Sequence, residues 1–183
     1  MASALLTLEQ AARVAGHARW LEDRLFSVVG EWVAVEEDPA AKALFAAHSL
    51  RHAWHASVWH DRFPRVAHLD VDALTVPAGP RVAAAVDDLV AGTRAGSGAG
   101  VDRLSLQAQL LSPLVAAYRE RVAVAHPLAD GPTRRWLGFV LADEVAALGQ
   151  VRALLSGRGA ASRLQVHDLS AEALLGLTSS DGA

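Results

Sequence analysis

The stretch that decides the fold spans residues 39–63 and reads PAAKALFAAHSLRHAWHASVWHDRF. Asp38 precedes it as a helix N-cap, and Pro39 stands at the first helical position, where a missing N–H costs nothing. Pro64 follows and ends the helical pattern. The stretch therefore predicts one long, uninterrupted helix.

The predicted helix carries ionisable residues on one side. At 100° per residue, His48, Arg51 and His55 fall on the same face as its large apolar residues, and His52 lies at the edge of that face. Charged groups are seldom fully buried without partners. The helix therefore predicts a polar site inside the fold.

A second long helix precedes this one. Thr7 to Gln10 reads as a capping box, and an apolar stripe at helical spacing runs from there to about Glu36, with Glu22 inside it. The link to Pro39 is very short. Two long helices joined in this way must pack antiparallel as a hairpin.

The rest of the chain predicts a second hairpin after a long connection. Pro113 lies inside the third long helix and is expected to kink it. In chain order, the pattern predicts a connection over 64–79, a short helix over 80–90, a flexible linker over 92–100, a third long helix over 101–125 and a fourth over 130–157. We expect one domain over 1–160 and a short C-terminal extension over 161–183.

Composition narrows the class of protein. The 183 residues carry a formal charge of -3, with no basic run, which argues against nucleic-acid binding. The absence of cysteine excludes thiolate metal sites and a cysteine nucleophile. No export signal and no apolar stretch of bilayer length are visible, so we expect a cytoplasmic protein that does not bind a membrane. Abundant Ala and Arg with Lys42 alone indicate a GC-rich bacterial genome.

Two further ionisable groups interrupt apolar faces of the later helices. Tyr118 lies on the core face of the third helix, and Glu144 lies on that of the fourth; Asp143, one residue earlier, is expected to point about 100° away, toward solvent. Because buried carboxylates require a cation, a metal or a shared proton, something must satisfy Glu22 and Glu144.

Two interpretations of the interior site follow. In the first, the site holds one iron, manganese or zinc ion, with imidazoles from the second helix and carboxylates from the others as ligands. The predicted metal ligands are Glu22, His48, His52, His55 and Glu144. In the second, the layer contains no metal, and Arg51 forms an ion pair with Glu22 or Glu144 while the histidines hydrogen-bond internally.

The candidate catalytic groups are Tyr118 and Arg51. Tyr118 can donate a hydrogen bond, ligate or relay a proton beside a metal. A pocket for a small apolar substrate is expected among Trp54, Trp59 and Leu111. The expected partner is thus a small-molecule ligand or substrate, and a homodimer is compatible with the pattern.

The two hairpins, the long connection and the inward polar groups resemble the ferritin-like superfamily over about residues 7–157. Dimetal members of that superfamily carry one Glu on each of two helices and Glu-x-x-His on the other two. Glu22 and Glu144 match carboxylate positions, but Ala147 stands where the fourth helix would carry histidine. The resemblance implies a ferritin-like four-helix bundle with a reduced or absent metal centre.

A weaker resemblance is to the DinB-like bundles, which bind one metal through three histidines and often serve thiol-dependent transferases. Their histidines come from separate helices, whereas the candidate ligand histidines of this chain all lie on the second helix. Two functions follow from these resemblances. One is an enzyme with oxidoreductase-type or acid-base chemistry on a small apolar substrate, and the other is a non-catalytic ligand-binding or partner subunit of a ferritin-like enzyme.

Overall fold

The computed structural model describes residues 5–95, 103–157 and 174–176. Within those ranges the chain is helical and contains no strand, as the sequence predicts. The helices, in chain order, are α1 (Leu8–Val35), α2 (Pro39–Asp61), α3 (Val71–Leu74), α4 (Pro80–Ala95), α5 (Arg103–Val124) and α6 (Gly131–Ser156).

Helices α1 and α2 form the predicted antiparallel hairpin. The Thr7 hydroxyl accepts from the Gln10 amide at 3.2 Å, and the Gln10 side chain accepts from the Thr7 amide at 2.9 Å, which completes the capping box of α1. Asp38 caps α2 through the amide of Ala40. Near the connection Trp32 packs edge-on against Phe45, their ring centroids 5.3 Å apart.

Helices α5 and α6 pack against one another, and α6 also contacts α2. Arg152 near the end of α6 donates to Ser112 in the first half of α5 at 3.2 Å, so these two helices also run antiparallel. Helix α5 continues through Pro113. The side chain of Gln107 lies against His48, and that of Tyr118 lies against Trp59, so α5 runs in the same direction as α2.

The connection after α2 lies against α1. It contains the one-turn helix α3, whose carbonyl at Leu74 approaches α1 at Gly16. Helix α4 is tied to α1 by an ion pair of 3.2 Å between Arg24 and Asp87. The flexible linker predicted over 92–100 is wrong at its start, because residues 92–95 continue α4. Residues 96–100 lie outside the described ranges.

Leu174 and Leu175 belong to the hydrophobic core of the described chain, with 3% and 0% of their surface exposed. They fall in the segment expected as a C-terminal extension. Gly176 follows with a φ of 67°, and a side chain there would collide with His17 on α1 at 2.8 Å. The described part of the segment is therefore packed onto the helices. None of the described helices combines the length and the apolar character that a bilayer crossing requires.

Candidate metal centre

Three helices bring four ionisable side chains together inside the protein. Glu22 comes from α1, His52 and His55 come from adjacent turns of α2, and Glu144 comes from α6. All four are buried, with at most 2% of their surface exposed. Each offers one ligand atom to a group whose members all lie within 4.8 Å of one another.

The distances between these atoms suit a single small cation. His52 Nδ1 lies 2.7 Å from Glu22 Oε2 and 3.4 Å from Glu144 Oε1. His55 Nδ1 lies 3.5 Å and 3.1 Å from the same two oxygens. Ligands about 2.1 Å from a common ion are about 3.4 Å apart in a tetrahedron and about 3.0 Å apart at neighbouring octahedral positions. The four nitrogen-to-oxygen distances, from 2.7 to 3.5 Å, cover both the tetrahedral and the octahedral spacing.

Several polar atoms at this centre lack hydrogen-bond partners. His55 Nδ1 and both carboxylate oxygens of Glu144 are buried and form no hydrogen bond with any of the described residues. His55 Nδ1 and Glu144 Oε1 are 3.1 Å apart, which is close enough for an ion pair, but the two groups are not oriented for a hydrogen bond. Unpaired buried polar atoms cost free energy, and a metal ion between them would satisfy His55 Nδ1 and the Glu144 oxygen that faces it.

Without a metal, opposite charges stabilise the group. Burial lowers the pKa of His55, but Glu22 and Glu144 outweigh that effect and raise the pKa to about 10. The pKa of His52 is also raised, because the same carboxylates outweigh its burial. Burial raises the pKa of Glu22, but the two imidazoles outweigh it and bring the pKa to about 2. His55 and Glu22 thus form a buried pair of opposite charges.

Helix α5 contributes a hydrogen-bond donor beside the cluster. The fully buried Tyr118 hydroxyl donates a short hydrogen bond to Glu22 Oε1 and accepts one from Trp59 Nε1 at 3.2 Å. The Tyr118 and Trp59 rings stack with an interplanar angle of 4°. Burial and the neighbouring Glu22 raise the pKa of Tyr118 well above its ordinary value, so the hydroxyl stays protonated and fixes the Glu22 carboxylate.

Asp143 has a contact that the helical-wheel argument misses. Its side chain is 41% exposed, but its Oδ2 lies 3.3 Å from Nε2 of the buried His55. The carboxylate thus orients the ring from the side opposite to the cluster, as carboxylates commonly do behind metal-bound histidines. Asp143 is thus partly exposed, as expected, but its side chain also reaches His55, because α2 packs beside α6.

His48, a predicted ligand, is not part of the four-residue group. Its Nδ1 accepts from Gln107 Nε2 at 2.8 Å, and its Nε2 donates to Gln150 Oε1 at 2.9 Å. Burial lowers the pKa of His48. Seven residues of helix separate it from His55, about 10.5 Å along the axis, which is too far for both to ligate one ion.

Arg51 donates to the backbone carbonyl of Asp143 at 3.3 Å. Both buried glutamates are instead paired with histidines, and the ion pair expected between Arg51 and Glu22 or Glu144 is not among the contacts of the described residues. Arg51 lies at the edge of the centre, next to the residue that orients His55.

The residues expected to line a substrate pocket are divided between core and surface. Trp59 and Leu111 are each 1% exposed and belong to the core, whereas Trp54 is 42% exposed. Trp54 lies beside His55, with ring centroids 5.3 Å apart, and beside Trp136 at 6.1 Å. Of the three, Trp54 is the one that connects the centre to the surface.

Comparison with protein-family models, curated proteins and solved structures found no match to this chain.

Proposed function

We propose that this protein is a ferritin-like four-helix bundle that binds one iron, manganese or zinc ion through Glu22, His52, His55 and Glu144. We further propose that it is a bacterial enzyme with oxidoreductase-type or acid-base chemistry on a small apolar substrate. The metal centre is the core of this proposal, and the activity follows from it.

The observation that carries the metal centre is the convergence of four ligand atoms within 4.8 Å, together with the unpaired buried atoms of His55 and Glu144. Charge balance supports a single ion. Two carboxylates neutralise one divalent cation, and His52 and His55 would each bind it through an unprotonated ring nitrogen. One divalent ion bound by two carboxylates and two neutral imidazoles leaves no net charge, whereas a second divalent ion would leave two excess positive charges.

The directions of the long helices support a ferritin-like connectivity. Because α2 and α5 run the same way, the chain between them has to return along the length of α2 before α5 begins. That return is the long crossover of the proposed bundle, and α3 and α4 lie within it. Polar groups from α1, α2, α5 and α6 then meet at mid-bundle.

The residues around the centre have separate roles in this proposal. A bound ion would supply Lewis acidity or, for iron or manganese, redox chemistry. Tyr118 holds the Glu22 carboxylate, and Asp143 holds the His55 ring. Trp54 and Arg51 lie on the side of the centre that approaches the surface, where a small substrate would enter.

The test is metal analysis of matched histidine variants purified without chelators. We expect one equivalent of iron, manganese or zinc in the native protein and in His48→Ala, and none in His55→Ala. His48 is the matched control, because it is a buried histidine on the same helix whose nitrogens bind amides. Loss of metal from both variants, or no metal after reconstitution of the native protein, would contradict the proposal.

A second candidate function rests on the metal-free electrostatics. The two histidines and two glutamates compensate one another without an ion, so the same cluster could serve as a polar layer in a non-catalytic ligand-binding or partner subunit. Metal-free native protein whose unfolding midpoint is the same with and without added iron, manganese or zinc would favour this alternative.

A further inference from the structure

A groove of roughly 340 Å³ runs between α5 and α6. Its floor is apolar and consists of Val115 and Leu148, both largely buried, with Val145 along one side. Val145 follows Glu144 by one residue and so points about 100° away from it. None of the four residues Glu22, His52, His55 and Glu144 lines the groove, so it is a feature separate from that group.

Small residues account for the groove's depth. Gly149 faces it, and a Cβ built at Gly149 would meet no atom within 4 Å. Ser112 lies across from it on α5. The volume is within the range of small-molecule sites.

The charged groups of the groove are two arginines at its opposite ends. Arg152 donates to Ser112 at 3.2 Å, and Arg119 lies seven residues farther along α5, about 10.5 Å along the helix axis. Neither guanidinium forms an ion pair with a carboxylate of residues 5–95 or 103–157. A groove with an apolar floor and, at each end, a guanidinium that pairs with no carboxylate of the described residues is complementary to an apolar chain with an anion at each end.

We propose that the groove between α5 and α6 binds a small linear molecule with an apolar middle and a carboxylate at each end. Arg119 and Arg152 each bind one carboxylate, while Val115, Val145 and Leu148 contact the chain. The site does not depend on the metal centre, so binding is expected in both metal-free and metal-loaded protein.

The probe is nonanedioate, titrated calorimetrically into the full-length protein at low ionic strength. We expect it to bind at least about tenfold more tightly than 1,9-nonanediol, which has the same chain without the charges. Nonanoate, with one carboxylate, should fall between them. The double variant Arg119→Gln/Arg152→Gln should lose this preference for charge, whereas Arg135→Gln, on α6 but outside the groove, should keep it.

Filling the groove provides a second, independent test. Gly149→Leu should abolish binding of nonanedioate without loss of folding, since leucine is a better helix former than glycine. Gly138→Leu is the matched control, because Gly138 is also exposed on α6 with nothing near its Cβ position. No measurable binding to the native protein, or equal binding by Gly149→Leu and Gly138→Leu, would overturn the proposal.

Discussion

At the scale of single residues, Glu22 is the most constrained group in the candidate metal centre. It lies at 0% exposure, accepts from Tyr118 on one oxygen and contacts His52 and His55 with the other. Trp59 in turn donates to Tyr118. This buried series of hydrogen bonds fixes the Glu22 carboxylate before any ligand binds.

Removal of the Tyr118 hydroxyl should interrupt this series of hydrogen bonds and lower the stability of the protein. Tyr118→Phe leaves the Trp59 N–H and one Glu22 oxygen without a partner, so we expect a loss of about 1–3 kcal/mol in the free energy of unfolding. Because Trp59→Phe breaks the same series of hydrogen bonds, the double variant should lose less than the sum of the single losses. Urea denaturation of all four proteins measures the difference, and additive losses would show that the hydroxyl and the indole act independently.

Asp143 should affect the metal without being a ligand. Asp143→Asn removes the carboxylate behind His55, and we expect the metal dissociation constant to rise by about 10- to 100-fold with the stoichiometry of one unchanged. Asp61→Asn, at the exposed end of α2, is the control and should leave affinity as it is. Metal competition titration gives both values. An unchanged affinity in Asp143→Asn would exclude this role.

At the scale of elements, a close approach of two backbones occurs where α3 meets α1. A Cβ at Gly16 would lie 2.1 Å from the Leu74 carbonyl oxygen, so only glycine permits this contact. The connection after α2 is held there, with the nearby Arg19 side chain 3.4 Å from the Thr75 hydroxyl.

Gly16→Ala should therefore destabilise the protein although alanine favours helices. We expect a loss of about 1–3 kcal/mol from overpacking, measured by thermal or urea unfolding. Gly138→Ala on α6 has open space around its Cβ position and should stabilise by about 0.5–1 kcal/mol. If both substitutions stabilise, the backbones of α1 and α3 do not pack this closely in solution.

The boundaries of the long helices could be predicted because their signals are local. Thr7, Asp38 and Pro39 begin α1 and α2 within one residue of the predicted positions, and Gly157 closes α6. The end of α4 could not be predicted in this way, because the composition of Gly92 and the residues after it is typical of a linker. Glycine weakens a helix without preventing it, so local composition did not decide the outcome there.

At the scale of the whole molecule, the metal-free cluster makes stability depend on pH in two directions. The pKa of His55 rises from 6.5 to about 10 on folding, so its contribution is fully present below pH 6.5 and is lost as pH rises toward 10. The pKa of Glu22 falls from 4.5 to about 2, so its contribution is present above pH 4.5 and is lost as pH falls toward 2.

These two groups should therefore give the metal-free protein its greatest stability between pH 4.5 and 6.5. Urea midpoints measured in chelator across this range and on both sides of it test the expectation. His55→Ala should flatten the decline on the alkaline side. A native midpoint that increases steadily from pH 6.5 to 9 would contradict the ion pairing of His55 with the two glutamates.

The candidate site could be predicted as a location but not as a set of ligands. Helical periodicity alone predicted that Glu22, His52, His55, Tyr118 and Glu144 share the interior, because the 3.6-residue repeat is a property of each helix by itself. Helical periodicity also placed His48 among the predicted ligands, because a helical wheel gives the angle of a side chain around the axis and ignores its height along the axis.

By itself, the sequence determined the helical class, the long helices and the side of each helix that is buried, because capping residues and apolar periodicity act within one segment. The tertiary structure alone decided the height at which neighbouring helices meet. That height sets His52 and His55 opposite Glu22 and Glu144, leaves His48 with Gln107 and Gln150, and brings Asp143 to His55. The physical reason is that the packing of side chains between helices fixes their relative translation, and no single segment encodes it.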